Sequence, residues 1–250
     1  MTPGGHEGVT GVTFDSDGHR LLGVLYLARG DQPKPTALVL HGCPGIEQNA
    51  DLAMTLRDHG WNALVFHYRG CWGSAGRYDL RTIPRDIAAA VGYLQAGQHP
   101  SVDPGRLAVI GHSLGGWAAI VAAAADQRLR AVAVCGAAAD LASLKLSPAE
   151  IERELTRFLA AEPGPFVAQR DDVAGRLRPL DLVGSISPRP LLIVHGSDDE
   201  WIPVAQARQL RARARPPCRY VEVGGANHAF SWHRGQLRDL ITGWLDQAGV

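Results

Sequence analysis

The residues Leu107-Ala108-Val109-Ile110-Gly111-His112-Ser113-Leu114-Gly115-Gly116 decide how this chain is read. Four apolar residues suit a strand buried on both faces, G-x-S-x-G follows, and the small residues of 117–125 then have helical length and spacing. A serine on a tight strand-to-helix turn is held in a strained conformation with its hydroxyl exposed, and Gly111 and Gly115 keep neighbouring side chains out of the way. Ser113 is the candidate nucleophile. The helix after it aims unpaired N–H groups and its positive dipole end at any negative charge that develops beside Ser113.

Working outward, further apolar runs at 37–40, 62–66, 131–135 and 191–194 end abruptly in Gly, His or polar residues. Their continuous apolar character suits strands of a parallel sheet, covered on both faces. Between them, 51–59, 84–94, 203–214 and 236–247 carry apolar residues three and four apart, as sheet-covering helices do. At the start, 11–14 and 20–27 flank the polar turn Asp15-Ser16-Asp17-Gly18, which predicts an antiparallel hairpin. The alternation predicts an α/β fold with a mostly parallel, doubly wound sheet. A length of 250 residues fits one domain, 1–250.

One stretch breaks the rhythm. Residues 138–188 show no strand pattern, but Ser147-Pro148-Ala149-Glu150 has helix-start chemistry and opens an amphipathic run at 151–161. Glu162-Pro163-Gly164-Pro165 is read as the stop of that helix, before a partly helical stretch to Asp181. The expectation is a small helical insertion, either surface decoration or a lid over a site at the strand ends.

Composition excludes several classes. Lys+Arg and Asp+Glu are equal at 25 each, so no excess positive charge exists to displace counterions from a nucleic acid. Hydrophobic residues make up 46% and charged residues 20%, which argues for a packed core over disorder. There is no apolar run long enough to span a membrane and no leader pattern at the start, so the expected location is the cytoplasm, with no membrane partner. Cys43, Cys71, Cys135 and Cys218 lack metal-ligand spacing and read as free thiols, with no metal site expected.

The order of motifs resembles the α/β-hydrolase superfamily along nearly the whole chain. The hairpin, His41-Gly42-Cys43-Pro44-Gly45, the loop from Arg69 to Gly76, the Ser113 elbow, His195-Gly196-Ser197-Asp198-Asp199 and Asn227-His228 follow one another as they do there. Asp103-Pro104-Gly105-Arg106 leading into the elbow strand is similar to the bacterial esterase, prolyl-oligopeptidase-like and dienelactone-hydrolase-like branches. The resemblance implies the α/β-hydrolase fold with a helical cap. It also implies Asp199 as the orienting acid, because H-G-x-x-D is followed by an apolar residue and Pro, and the N–H of Cys43 as an oxyanion donor beside that of Leu114.

A serine hydroxyl is nearly inert at neutral pH, so it needs a base, and the base needs an acid to hold its tautomer. Of ten histidines only His228 and His233 lie after the acid, and His228 sits on a loop from which an imidazole reaches across. His41 and His195 end strands before Gly, where an imidazole satisfies buried backbone; His112 is read as a packing or pocket residue. Trp72, Trp201 and Phe230 are candidate walls of a substrate pocket, while Arg69 and Ser74 either line it or tie their loop down near Asp86. The implied activity is hydrolysis of a small-molecule ester or related acyl compound, without a cofactor. A peptidase, thioesterase or acyltransferase with the same three residues stays open, as does a non-catalytic binding protein; oligomeric state is not legible.

Overall fold

The computed structural model describes residues 8–45, 49–143, 147, 149–150, 158–161 and 163–250. Among these, eight strands form one sheet: β1 (Gly8–Ser16), β2 (His19–Leu27), β3 (Lys34–Leu40), β4 (Asn62–Phe66), β5 (Val102–His112), β6 (Leu129–Cys135), β7 (Leu191–Gly196) and β8 (Cys218–Val223). Their spatial order is β1-β2-β4-β3-β5-β6-β7-β8. The first two pair antiparallel, β2 pairs antiparallel with β4, and all later neighbours are parallel. Ser16 pairs with His19, so the hairpin turn is the two residues Asp17-Gly18, both at positive φ, tighter than the four-residue turn read from sequence.

Along the parallel strands, side chains divide between two cores with a period of two. Leu38, Leu40, Leu107, Val109, Val132, Val134, Leu191 and Ile193 face one layer, and the alternate residues Ala37, Val39, Ala108, Ile110, Ala131, Ala133, Leu192 and Val194 face the other. The first layer is closed by α2 (Ile83–Gln95) and α3 (Leu114–Ala125), the second by α1 (Ala50–Asp58) and α7 (Arg234–Leu245), with α6 (Ala205–Arg213) joining the first. Helix α3 is buried on nearly all sides, which explains why its sequence is Ala-rich and without charge. Each of these Leu side chains contributes about 2 kcal/mol by leaving water.

The functional consequence lies in the strand order. Strand β3 sits between β4 and β5, so the connection through α1 leaves β3 on one side and the crossover through α2 returns on the other. At such a switch point the loops after β3 and β5 diverge and open a crevice at the carboxyl ends of the strands. Cys43 follows β3, and Ser113 follows β5.

Part of the 138–188 stretch lies outside the described residues, including the amphipathic run 151–157. What is described is largely helical, with a short turn at Leu141–Ser143, α4 (Pro163–Arg176), α5 (Pro179–Leu182) and a turn at Val183–Ser185, while Leu159 forms an isolated antiparallel bridge with Cys71. Most of the 151–161 run that Glu162-Pro163-Gly164-Pro165 is read to end lies outside the described residues, and α4, beginning at Pro163, is the helical stretch expected after it. Proline fits the first turn, where its missing N–H has no intrahelical partner to lose. Phe166, Val173 and Ala174 of α4 are buried against the first core layer.

Candidate active site

Ser113 stands between β5 and α3 with φ 58° and ψ −122°, a conformation L-residues avoid, held by the chain on either side. The two flanking glycines are sterically required: a Cβ on Gly111 would lie 2.0 Å from the Gly115 carbonyl oxygen, and one on Gly115 would lie 2.3 Å from that of Leu40. The G-x-S-x-G pattern is thus the sequence trace of backbone packed against backbone.

The His228 loop brings an imidazole to the serine. His228 Nε2 is 2.9 Å from Ser113 Oγ, and His228 Nδ1 is 2.8 Å from Asp199 Oδ2. Since a carboxylate only accepts, the proton between His228 and Asp199 sits on Nδ1, which leaves Nε2 to accept from the serine hydroxyl. The loop is anchored by two neighbours. Glu200 Oε2 accepts the His228 N–H, His112 Nε2 lies 2.8 Å from the His228 carbonyl oxygen, and the rings of His112 and His228 are 4.9 Å apart.

Asp199 caps its own turn and faces the imidazole at once. Its Oδ1 accepts the N–H groups of Trp201 and Ile202 at 3.0 and 2.7 Å, while Oδ2 faces His228. The carboxylate is fully buried. Burial alone would raise its pKa, but hydrogen bonds from His195, His228 and Ile202, with the charge of His228, hold it well below the usual carboxylate range. Asp198 is exposed and accepts from Ser197 Oγ, away from His228.

Cys43 follows β3 and Leu114 opens α3, where the first N–H groups have no partner inside the helix. The loop after Cys43 is tied to the next one, because Trp72 Nε1 donates to the Pro44 carbonyl at 2.9 Å. Trp72 is partly exposed and stacks on Phe158 of the insertion at 6.4 Å, and Trp201 is nearly half exposed beside the acid. Phe158 was not singled out from sequence, since only folding brings the insertion against Trp72.

Phe230 is corrected. It is fully buried in the second core layer, its ring edge-on to His112 at 6.4 Å, so it supports the group that holds His228 instead of lining a pocket. The turn closed by its N–H on the Asn227 carbonyl, with φ 55°, swings the ring inward. Arg69 and Ser74 also prove structural. Arg69 makes two side-chain hydrogen bonds and one backbone hydrogen bond to the fully buried Asp86, and Ser74 bridges the His67 carbonyl and the Leu22 N–H.

All four cysteines are free, and burial pushes the thiols of Cys71 and Cys135 up, the latter to about 12. Among the described residues no cluster of His, Cys, Asp and Glu suits a metal ion, and no helix is long and apolar enough to cross a membrane.

Known proteins share this architecture. An uncharacterised protein of Mycobacterium tuberculosis (strain ATCC 25618 / H37Rv), Rv2307c, is 32% identical over 218 residues, covering 87% of this chain and 71% of the relative. The crystal structure of an esterase domain from a Rhodothermus marinus protein is 25% identical with a TM-score of 0.71, over 94% of this chain and 97% of that one. Est1E from Butyrivibrio proteoclasticus, solved with ferulic acid bound, is 23% identical with a TM-score of 0.78, over 95% and 98%, a likeness of fold. The model of the prolyl oligopeptidase family matches residues 52–248. With that match over most of its length, the chain belongs to the prolyl oligopeptidase family of α/β-hydrolases.

Proposed function

We propose that this protein is a serine hydrolase that cleaves a carboxylic ester of a small molecule through an acyl-enzyme on Ser113. The observation that carries the reading is the unbroken relay from Ser113 Oγ through both ring nitrogens of His228 to a buried Asp199, at 2.9 and 2.8 Å. In this reading His228 takes the serine proton as Oγ attacks the ester carbonyl, then gives it to the leaving alkoxide. Asp199 holds the imidazole in the tautomer this requires. The N–H groups of Leu114 and Cys43 stabilise the oxyanion of the tetrahedral intermediate. Water activated by His228 then releases the acid and restores Ser113. Nothing in this sequence of steps calls for a cofactor.

The 138–188 insertion acts as a cap in this proposal. Support comes from where its described parts touch the rest: Ala160 exchanges backbone hydrogen bonds with Gly70 and Tyr78, and Phe158 stacks on Trp72, which is itself bonded to the oxyanion-side loop. Trp72 and Trp201 then offer aromatic surface at the mouth, suited to an apolar acyl or aryl group. A peptidase is the second reading, and the family match is what favours it.

A panel of p-nitrophenyl esters of increasing chain length, with aryl esters, thioesters and aminoacyl p-nitroanilides, tests the proposal. Turnover of esters well above the anilides supports it. Anilides turned over faster than every ester would make the chain a peptidase, and no turnover of any would return it to a binding role.

A further inference from the structure

His195 is used by none of the steps above, yet it touches their acid. It ends β7 four residues before Asp199, fully buried, with Nε2 2.8 Å from the Ile202 carbonyl oxygen and 3.1 Å from Asp199 Oδ2. Both neighbours are pure acceptors, so the ring proton sits on Nε2; Nδ1 meets no partner among the described residues, and a proton there would have no acceptor. The tautomer is thereby fixed by the surroundings. Asp199 then receives the Trp201 and Ile202 N–H on Oδ1 and the His228 imidazole on Oδ2, while the one His195 Nε2–H, shared with the Ile202 carbonyl, stands 3.1 Å from the same Oδ2.

We propose that His195 is a positioning residue of the serine hydrolase proposed above: it shares Asp199 Oδ2 with His228, fixing the carboxylate and moderating how strongly that carboxylate holds the His228 proton. A hydrogen bond from His195 draws electron density from Oδ2, so the imidazolium that forms at His228 is stabilised less than by an unshared carboxylate. The proton that His228 takes from Ser113 is then held less tightly and returned more readily to the leaving group. The second donor also keeps Asp199 from rotating away from His228.

Other charged or titratable groups face this pair from the surrounding elements. Glu200 accepts the His228 backbone N–H, His112 lies ring to ring with His228, and Glu222 of β8 is the register partner of His195. Glu222 is engaged by Arg208 and Tyr220, and Glu200 reaches His228 through its backbone, so neither replaces the hydrogen bond from His195 to Oδ2. Gly136, from the end of β6, makes room: a Cβ there would lie 3.3 Å from Asp199 Oδ2.

The test compares wild type with His195→Leu, which removes the donor, and His195→Gln, which keeps an N–H able to reach Oδ2. Three quantities are read: the pH profile of kcat/KM on a p-nitrophenyl ester, the rate of fluorophosphonate labelling, and the titration of His228 followed by NMR through its ring protons. In His195→Leu the acid limb and the His228 titration move up by about one pH unit, and labelling at neutral pH slows about ten- to a hundredfold. His195→Gln restores most of both. If His195→Leu melts earlier but keeps the wild-type pH profile and His228 titration, His195 is a packing residue and the proposal is wrong. A wild type that neither labels nor turns over esters overturns the hydrolase reading instead, and the His228 titration still decides whether the two imidazoles are coupled through Asp199.

Discussion

The floor of the site and its rim are built from different physics. On the floor, Ser113, Gly111 and Gly115 pack backbone on backbone, and Asp199 is buried with all its hydrogen-bond partners in place, so few side chains could be exchanged without a clash or an unpaired charge. At the rim, Trp72, Phe158 and Trp201 expose 37%, 40% and 46% of their surface, which leaves them free to change without disturbing the core. A family can hold the first constant and vary the second, keeping a chemistry while changing what is bound. Substitutions on the floor therefore act on kcat, and substitutions at the rim act on selectivity.

The largest effect expected on the floor is at the proposed acid and nucleophile. Ser113→Ala lowers kcat by about 10⁶ with an unchanged melting temperature, because one partly exposed oxygen is lost and no core volume. Asp199→Asn costs on the order of 10⁴ in kcat by favouring the wrong His228 tautomer. Asp198→Asn, one residue away and exposed, stays within about threefold of wild type, since it only loses a hydrogen bond to Ser197. Steady-state rates for the two adjacent variants break the comparison if Asp198 proves the sensitive one.

The loop after β4 carries a pH-dependent cost at His67. Burial and the nearby His41 push the His67 pKa down to about 4. Between its unfolded value near 6.5 and that folded value, the unfolded chain takes up the proton first, so stability falls as pH falls through this window. After discounting for partial exposure, the loss is about 2 kcal/mol. His67→Phe flattens that part of the curve, which thermal melts at pH 7.5 and 5 in wild type and variant would read. Parallel curves would remove His67 from the account.

At the rim the expected effects are smaller and of another kind. Trp72→Ala changes the ratio of kcat/KM for long-chain or aryl esters over acetate by about tenfold, with kcat for acetate nearly kept. It removes the stack on Phe158 and the bond to Pro44, and a uniform fall in kcat for every ester would place Trp72 on the floor instead. Smallest of all, Cys43→Ala leaves activity near wild type and makes it resistant to a maleimide, because only the thiol changes and the backbone N–H remains. Sensitivity retained in that variant points to Cys218, the other partly exposed thiol.

The same division explains what the sequence could be read for. The elbow and the parallel strands were legible because each is imposed locally, by glycine at a close approach or by unbroken apolar runs, whereas the choice of Asp199 as acid came only from the resemblance in motif order. His195 was read correctly as satisfying buried backbone at Ile202, but its second contact, to Asp199, depends on how the turn after β7 closes. Phe230 looked like a pocket wall from its place beside His228; the positive φ that turns its ring inward leaves no trace in residue type, since positive φ ordinarily selects glycine or asparagine. The start of α4 carries a mixed signal, because proline both ends helices and begins them, and only the chain that follows tells which.

The central claim is that Ser113 Oγ, activated by His228, is the nucleophile. Incubating wild type, Ser113→Ala and His228→Ala with a fluorophosphonate and mapping the adduct by mass spectrometry tests it most directly. The account predicts one adduct per wild-type chain, on Ser113, none on Ser113→Ala, and labelling slowed by orders of magnitude in His228→Ala. An adduct on another residue, or equal labelling of all three proteins, would contradict it.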